Sequence, residues 1–148
     1  MALFQWQQTR TAPREAWLAL CRDVTQLHRL IRENTMFVVC ELSGNTPLRY
    51  DDSMVGLGVI VFNGDRSNNL AGDAFVLDSL PPPSGSRRCD TRGHPYGFLV
   101  QASLLLAAYH CPGVWRVTSD VTPEEWQQTA AWLTTQLNLA SRLPDLPF

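Results

Sequence analysis

The sequence predicts an α+β fold, or a small α/β one: a mixed sheet of about four strands packed by three helices, in the order α-β-β-β-α-β-α. Three observations carry this expectation. Apolar residues recur at helical spacing near both ends of the chain, short runs rich in β-formers lie between them, and one stretch near residue 100 is apolar on nearly every side.

The first helix is expected over residues 13–33. Trp17, Leu20, Cys21, Val24, Leu27, His28 and Ile31 recur at spacings of three and four and form one stripe, with Arg14, Glu15, Arg22, Asp23, Arg29 and Arg32 mostly off it. Thr11 or Ala12 can cap its start with Pro13 in the first turn, and Asn34 suits its end. Residues 36–42, Met-Phe-Val-Val-Cys-Glu-Leu, are too short for a helix and read as a buried strand. A second strand covers 54–62, with Gly56 and Gly58 on one face. After a polar loop beginning Asn63-Gly64-Asp65, a third strand over 73–77 is expected antiparallel to the second.

Residues 79–94, with three consecutive prolines and a polar remainder, read as a long irregular surface loop. The central helix starts at Pro95 and ends near His110, before Pro112-Gly113. Being apolar nearly all round, it is the buried one. Residues 114–119 alternate as a fourth strand, placed parallel to the third through a right-handed crossover over the central helix. The last helix has the strongest start signal in the chain: Thr122 as N-cap, Pro123 in the first position, Glu125 to close a capping box, and Trp126, Ala130, Leu133 and Leu137 on its apolar stripe. Residues 142–148 form an irregular C-terminal tail.

A chain of 148 residues fits one domain, 1–148, and buries enough surface to fold without staples. With 45% hydrophobic residues it is too apolar for disorder over most of its length. The net charge of −2 gives no field favouring DNA or RNA, so nucleic acid is not an expected partner. The twelve basic side chains are all arginine. The first residues lack a secretory pattern, and the longest apolar stretch, 98–109, is too short to span a bilayer. The four cysteines, Cys21, Cys40, Cys89 and Cys111, form no CxxC pair. Together these point to a cytoplasmic protein with free thiols and no membrane contact.

No named catalytic signature meets its own context. A phosphate-binding loop needs a lysine that the chain lacks, and Gly56-Leu-Gly58 lies inside a strand without the third glycine of a dinucleotide fingerprint. Cys89, His94, His110 and Cys111 are zinc-type ligands. They sit at opposite ends of a helix more than about 20 Å long, so neither a metal nor any other cofactor is expected.

The segment from Arg87 to His94 gathers Arg87, Arg88 and Arg92 with Cys89, Asp90 and His94, directly before a helix N-terminus. Cations lower a thiol pKa, and helix N-termini attract anions, so this segment can hold an anionic ligand or a reactive cysteine; it can equally be a solvated loop. Ser119 and Asp120 end a strand, where ligands gather in sheets with parallel crossovers, although the pair can also merely shape a turn. Asp65, in a long polar loop, can act as an acid, a base or a magnesium ligand.

Five tryptophans are unusually many; Trp132 falls off the stripe of the last helix and Trp6 lies in an unpatterned end, so the two are either interface anchors or part of a larger core. These features favour a small binding or accessory protein that works through protein contacts, with a protein partner or a second copy of itself. The alternative is a small enzyme acting on a phosphate- or carboxylate-bearing substrate, with Cys89, His94 and Asp120 catalytic and Arg87, Arg88, Arg92, Asp65 and Ser119 binding the ligand.

Overall fold

The computed structural model describes residues 2–49 and 58–139 and carries three helices and five strands along them. The class is α+β, as the sequence predicts. The strands, however, divide over two sheets, and every strand pair is antiparallel.

Helix α1 (Arg14–Glu33) buries Trp17, Leu20, Cys21, Val24, Leu27, His28 and Ile31, the whole stripe read from their spacing. Pro13 itself takes the N-cap position and offers no side-chain bond, so neither Thr11 nor Ala12 is the cap. Asn34 ends the helix, with its backbone N–H and its Nδ2 both donating to the Leu30 carbonyl.

The largest correction concerns residues 3–8, which had no assigned element. They form β1 (Leu3–Gln8), the middle strand of a three-stranded sheet. Its inward side chains are Phe4, Trp6 and Gln8, while Gln5 and Gln7 face out. On one side β1 pairs with β4 (Ser86–Asp90), which lies inside the segment expected to be irregular. On the other it pairs with β5 (Trp115–Ser119). Polar Ser-Arg-Arg-Cys-Asp has little intrinsic strand preference; the β1 ladder imposes the conformation, and only Cys89 reaches the core.

The second sheet is the hairpin of β2 (Val59–Phe62) and β3 (Phe75–Asp78), antiparallel as expected. Residues 54–57 of the expected second strand, Gly56 included, lie outside the described residues, as does the tail 142–148. Gly58 stands just before β2 with φ +75°, a turn position and not part of a bare strand face. Because β3 and β5 belong to different sheets, no parallel crossover joins them.

Residues 36–42 form no strand. Among the described residues only Cys40 bridges, to Asn63 and to Pro47, and no described strand offers the run a ladder of partners. Met36 and Val38 are 43% and 48% exposed, against the burial expected of them.

Helix α2 (Gly97–His110) is buried from Leu99 to Ala107 and packs against α1, α3 and β5. Tyr96 caps it and buries its ring, and its hydroxyl donates to the Asp73 carbonyl at 2.6 Å. Helix α3 (Pro123–Leu137) starts as predicted, with Thr122 Oγ1 accepting from the Glu125 N–H at 3.3 Å. Glu125 does not close the box; its carboxylate turns to Gln101 of α2 instead. Among the described residues, no helix is long and apolar enough to cross a membrane.

The tryptophans mostly build the core. Trp6 packs on Phe75, Trp17 on Trp115, and Trp126 edge-on to Phe4. Trp132 is half-buried, with its ring 4.9 Å from that of Phe98.

Candidate functional site

The end of the three-stranded sheet where β1 begins and β4 and β5 finish meets the first turns of α2 and α3. Between them lies an open groove of about 690 Å³. His94 and Pro95 approach from the β4–α2 connection, Asp120 and Thr122 from the β5–α3 turn, and Phe98 and Trp132 form an aromatic wall. Of the three proposed catalytic residues, then, His94 and Asp120 share one groove.

Cys89 does not join them. It points to the inner face of the sheet, is fully buried, and its thiol donates to the Asp73 carbonyl at 3.3 Å. Burial pushes its pKa up to about 12, and the carboxylates of Asp73 and Asp90 add to the rise while a hydrogen bond with Tyr96 opposes it. Arg88, adjacent to it in the strand, points to the opposite side; Arg87 shares its face but is taken by Asp78, and Arg92 lies past the strand in a turn. Cys89 is therefore a packing residue and cannot supply a nucleophile.

The other proposed ligand residues also scatter. Arg87 makes a bidentate pair with Asp78 of β3, with contacts of 2.5 and 3.1 Å. Arg88 lies on the outer, open face of the sheet. Arg92 is exposed in a turn with φ +56°. Ser119 Oγ accepts from the Val121 N–H at 3.1 Å and so shapes the turn before α3. Asp65 accepts from Ser67 Oγ and Asn68 Nδ2 at 2.7 and 2.6 Å, and these two bonds hold its pKa below the ordinary value. It braces a loop away from the groove. At the far end of α2, His110 Nε2 lies 2.6 Å from Asp23 Oδ2 and ties that helix to α1.

Sequence reasoning missed the polar floor of the groove. Gln101 and Thr129 are buried, Thr129 Oγ1 donates to Gln101 Oε1 at 3.0 Å, and Gln101 Nε2 donates to Glu125. A glutamine inside an otherwise apolar helix was the available signal, since a buried amide needs partners. Asp120 Oδ1 accepts from the Leu3 N–H at 2.9 Å, which fastens the start of β1 to the groove rim. Asp120 and Glu125 make the groove acidic, and no arginine among the described residues lines it. Two carboxylates repel an anion, so the groove does not suit the anionic substrate that the arginine cluster led one to expect.

The apolar wall extends beyond the groove. Phe37 packs edge-on to Phe98, with ring centroids 6.3 Å apart, and Phe37 sits between exposed Met36 and Val38. Sequence spacing placed these residues in a strand and hid their joint surface.

Comparison with known proteins assigns no family: no family model, no curated protein and no solved structure matches this chain, so function rests on the groove itself.

Proposed function

We propose that the chain is a binding protein that holds an extended segment of a partner protein in the groove between the sheet end and the first turns of α2 and α3. One observation carries this: an aromatic wall of Phe98 and Trp132, continued by Phe37, faces an acidic rim of Asp120 and Glu125, with no cysteine or serine among the residues that line the groove. Aromatic anchors in a polar rim are the usual energetic core of a protein contact. The rim selects a basic residue, and the wall an apolar or aromatic one next to it. The four unbridged cysteines suit a protein of a reducing compartment.

The enzyme reading draws less support, because its nucleophile is buried and the groove is acidic. Selection of phage-displayed random peptides on the folded protein tests the proposal. The expected outcome is enrichment of segments that pair a basic with an apolar residue, together with weakened binding in Trp132→Ala, where loss of an anchor costs about 2 kcal/mol or more. Asp120→Asn keeps an acceptor for the Leu3 N–H, so it removes charge while leaving that brace. Selection of no sequence above background, or peptides that bind both variants like the parent, would sink the proposal.

A further inference from the structure

No element among the described residues covers the outer face of the three-stranded sheet, and its side chains follow from the register. Gln5 lies between Arg88 and Thr118, and Gln7 between Ser86 and Arg116. These six, with parts of Trp6 and Arg87 between them, line a shallow concavity of about 400 Å³. Each carries a hydrogen-bond donor and none carries a carboxylate. The arrangement is roughly two-fold about β1: arginine opposite arginine, glutamine beside glutamine, and a hydroxyl at each remaining corner.

Both arginines are unengaged. Arg87, their neighbour on the inner side, is neutralised by Asp78, whereas Arg88 and Arg116 have no ion pair or hydrogen bond among the described residues. The nearest acids on this face are in the next cross-strand row, and their carboxylates are already bonded: Asp90 to the Arg92 N–H and Asp120 to the Leu3 N–H. From strand and residue spacings, the two arginine Cα atoms stand about 12 Å apart across β1. An extended arginine covers roughly half of that, so the two guanidinium forks can meet above Gln5 and Gln7.

We propose that this face binds the phosphate or diphosphate group of a small ligand, gripped from both sides by Arg88 and Arg116 and from below by the amides of Gln5 and Gln7. Guanidinium forks match phosphate oxygens two at a time, which a pair of point charges does not. A single-stranded nucleic acid is less suited, because the one aromatic residue lining the concavity, Trp6, is buried with its ring packed on Phe75 and offers no face on which a base could stack. The site is separate from the acidic groove and does not depend on it.

Isothermal titration with inorganic phosphate and with pyrophosphate, at fixed ionic strength, tests the proposal. The parent should bind at least one of them in the low-millimolar range or tighter. Arg88→Ala and Arg116→Ala should each weaken binding about tenfold or more, and the double variant should abolish it. Both side chains are on the open face, so the melting temperature should not fall. Arg88→Lys with Arg116→Lys keeps the charge and loses the forks; it should also bind weakly. Arg92→Ala, an exposed arginine outside the concavity, should behave like the parent. The proposal fails if the parent binds neither anion, if Arg92→Ala weakens binding as much as the two site variants, or if a single-stranded oligonucleotide binds this face in preference to both anions.

Discussion

At the scale of single residues, the side chains that look most reactive in the sequence are the most confined. Cys89 stands between two acids, beneath a tyrosine, on the inner face of a strand, and burial outweighs every nearby charge. All four cysteines are buried, so iodoacetamide at pH 8 should label none of them quickly in the native state and all four in urea. A fast native thiol at Cys89 would overturn its assignment to packing. Asn63 received no role from the sequence, yet it is a hub. Its backbone pairs with Cys40, its Nδ2 donates to the Leu42 carbonyl, and its Oδ1 accepts from the Gly64 and Gly72 N–H groups. Asn63→Ala strands buried donors and should cost about 2–3 kcal/mol in urea denaturation. Gly64 beside it admits no side chain, because a Cβ there would stand 2.0 Å from the Leu70 carbonyl oxygen. Thr122→Ala removes the one side-chain cap of α3 and should cost about 1 kcal/mol, read as a lower denaturation midpoint.

Elements differ in how far their own residues specify them. The helices announce themselves: α1 by its stripe, α2 by apolarity all round, and α3 by Thr122-Pro123. Because α2 lies between α1, α3 and the sheet, Leu105→Ala or Leu106→Ala should open a cavity and destabilise by about 2–5 kcal/mol. Two variants that melt like the parent would make α2 peripheral and contradict the packing. The strands are less legible. β1 does alternate, with Phe4 and Trp6 between Gln5 and Gln7, and that period of two was the signal available for it. β4 carried no such signal, since its residues become a strand only when β1 supplies the partner groups. The run 36–42 shows the converse, with strong β-formers and, among the described residues, no strand to pair with.

For the whole molecule, His28 sets a pH dependence. Burial, helped by the charge of Arg32, lowers its pKa from 6.5 to about 4. The unfolded chain therefore binds this proton more readily than the folded one between those values. Stability is unaffected by His28 above about pH 6.5 and should decline progressively as pH falls toward 4. Glu41, drawn down from 4.5 to about 2 by bonds from Ser43 and neighbouring N–H groups, loses its contribution between those two values, below the pH 5 point of the comparison. Urea midpoints at pH 7 and pH 5 should differ in the parent and converge in His28→Gln, once each variant is referred to its own value at pH 7. Equal slopes in both proteins would assign the dependence to other groups.

The sequence by itself determined the class, the three helices, the hairpin pairing of β2 with β3 and the cap of α3, because these depend on residues close together in the chain. It also placed His94 and Asp120 at element ends, where a groove can form. Which residues meet across the fold was decided only in three dimensions. Among the described strands the central one is the first in the chain, and its partner residues lie 79 or more positions away. Pairing with β1 turns Cys89 inward and Arg88 outward, while Asp78 takes Arg87. A cluster that reads as one site along the chain is divided, because neighbours in a strand point to opposite sides of the sheet: Arg88 goes to the open face, while on the inner face Cys89 enters the core and Arg87 is held in a salt bridge.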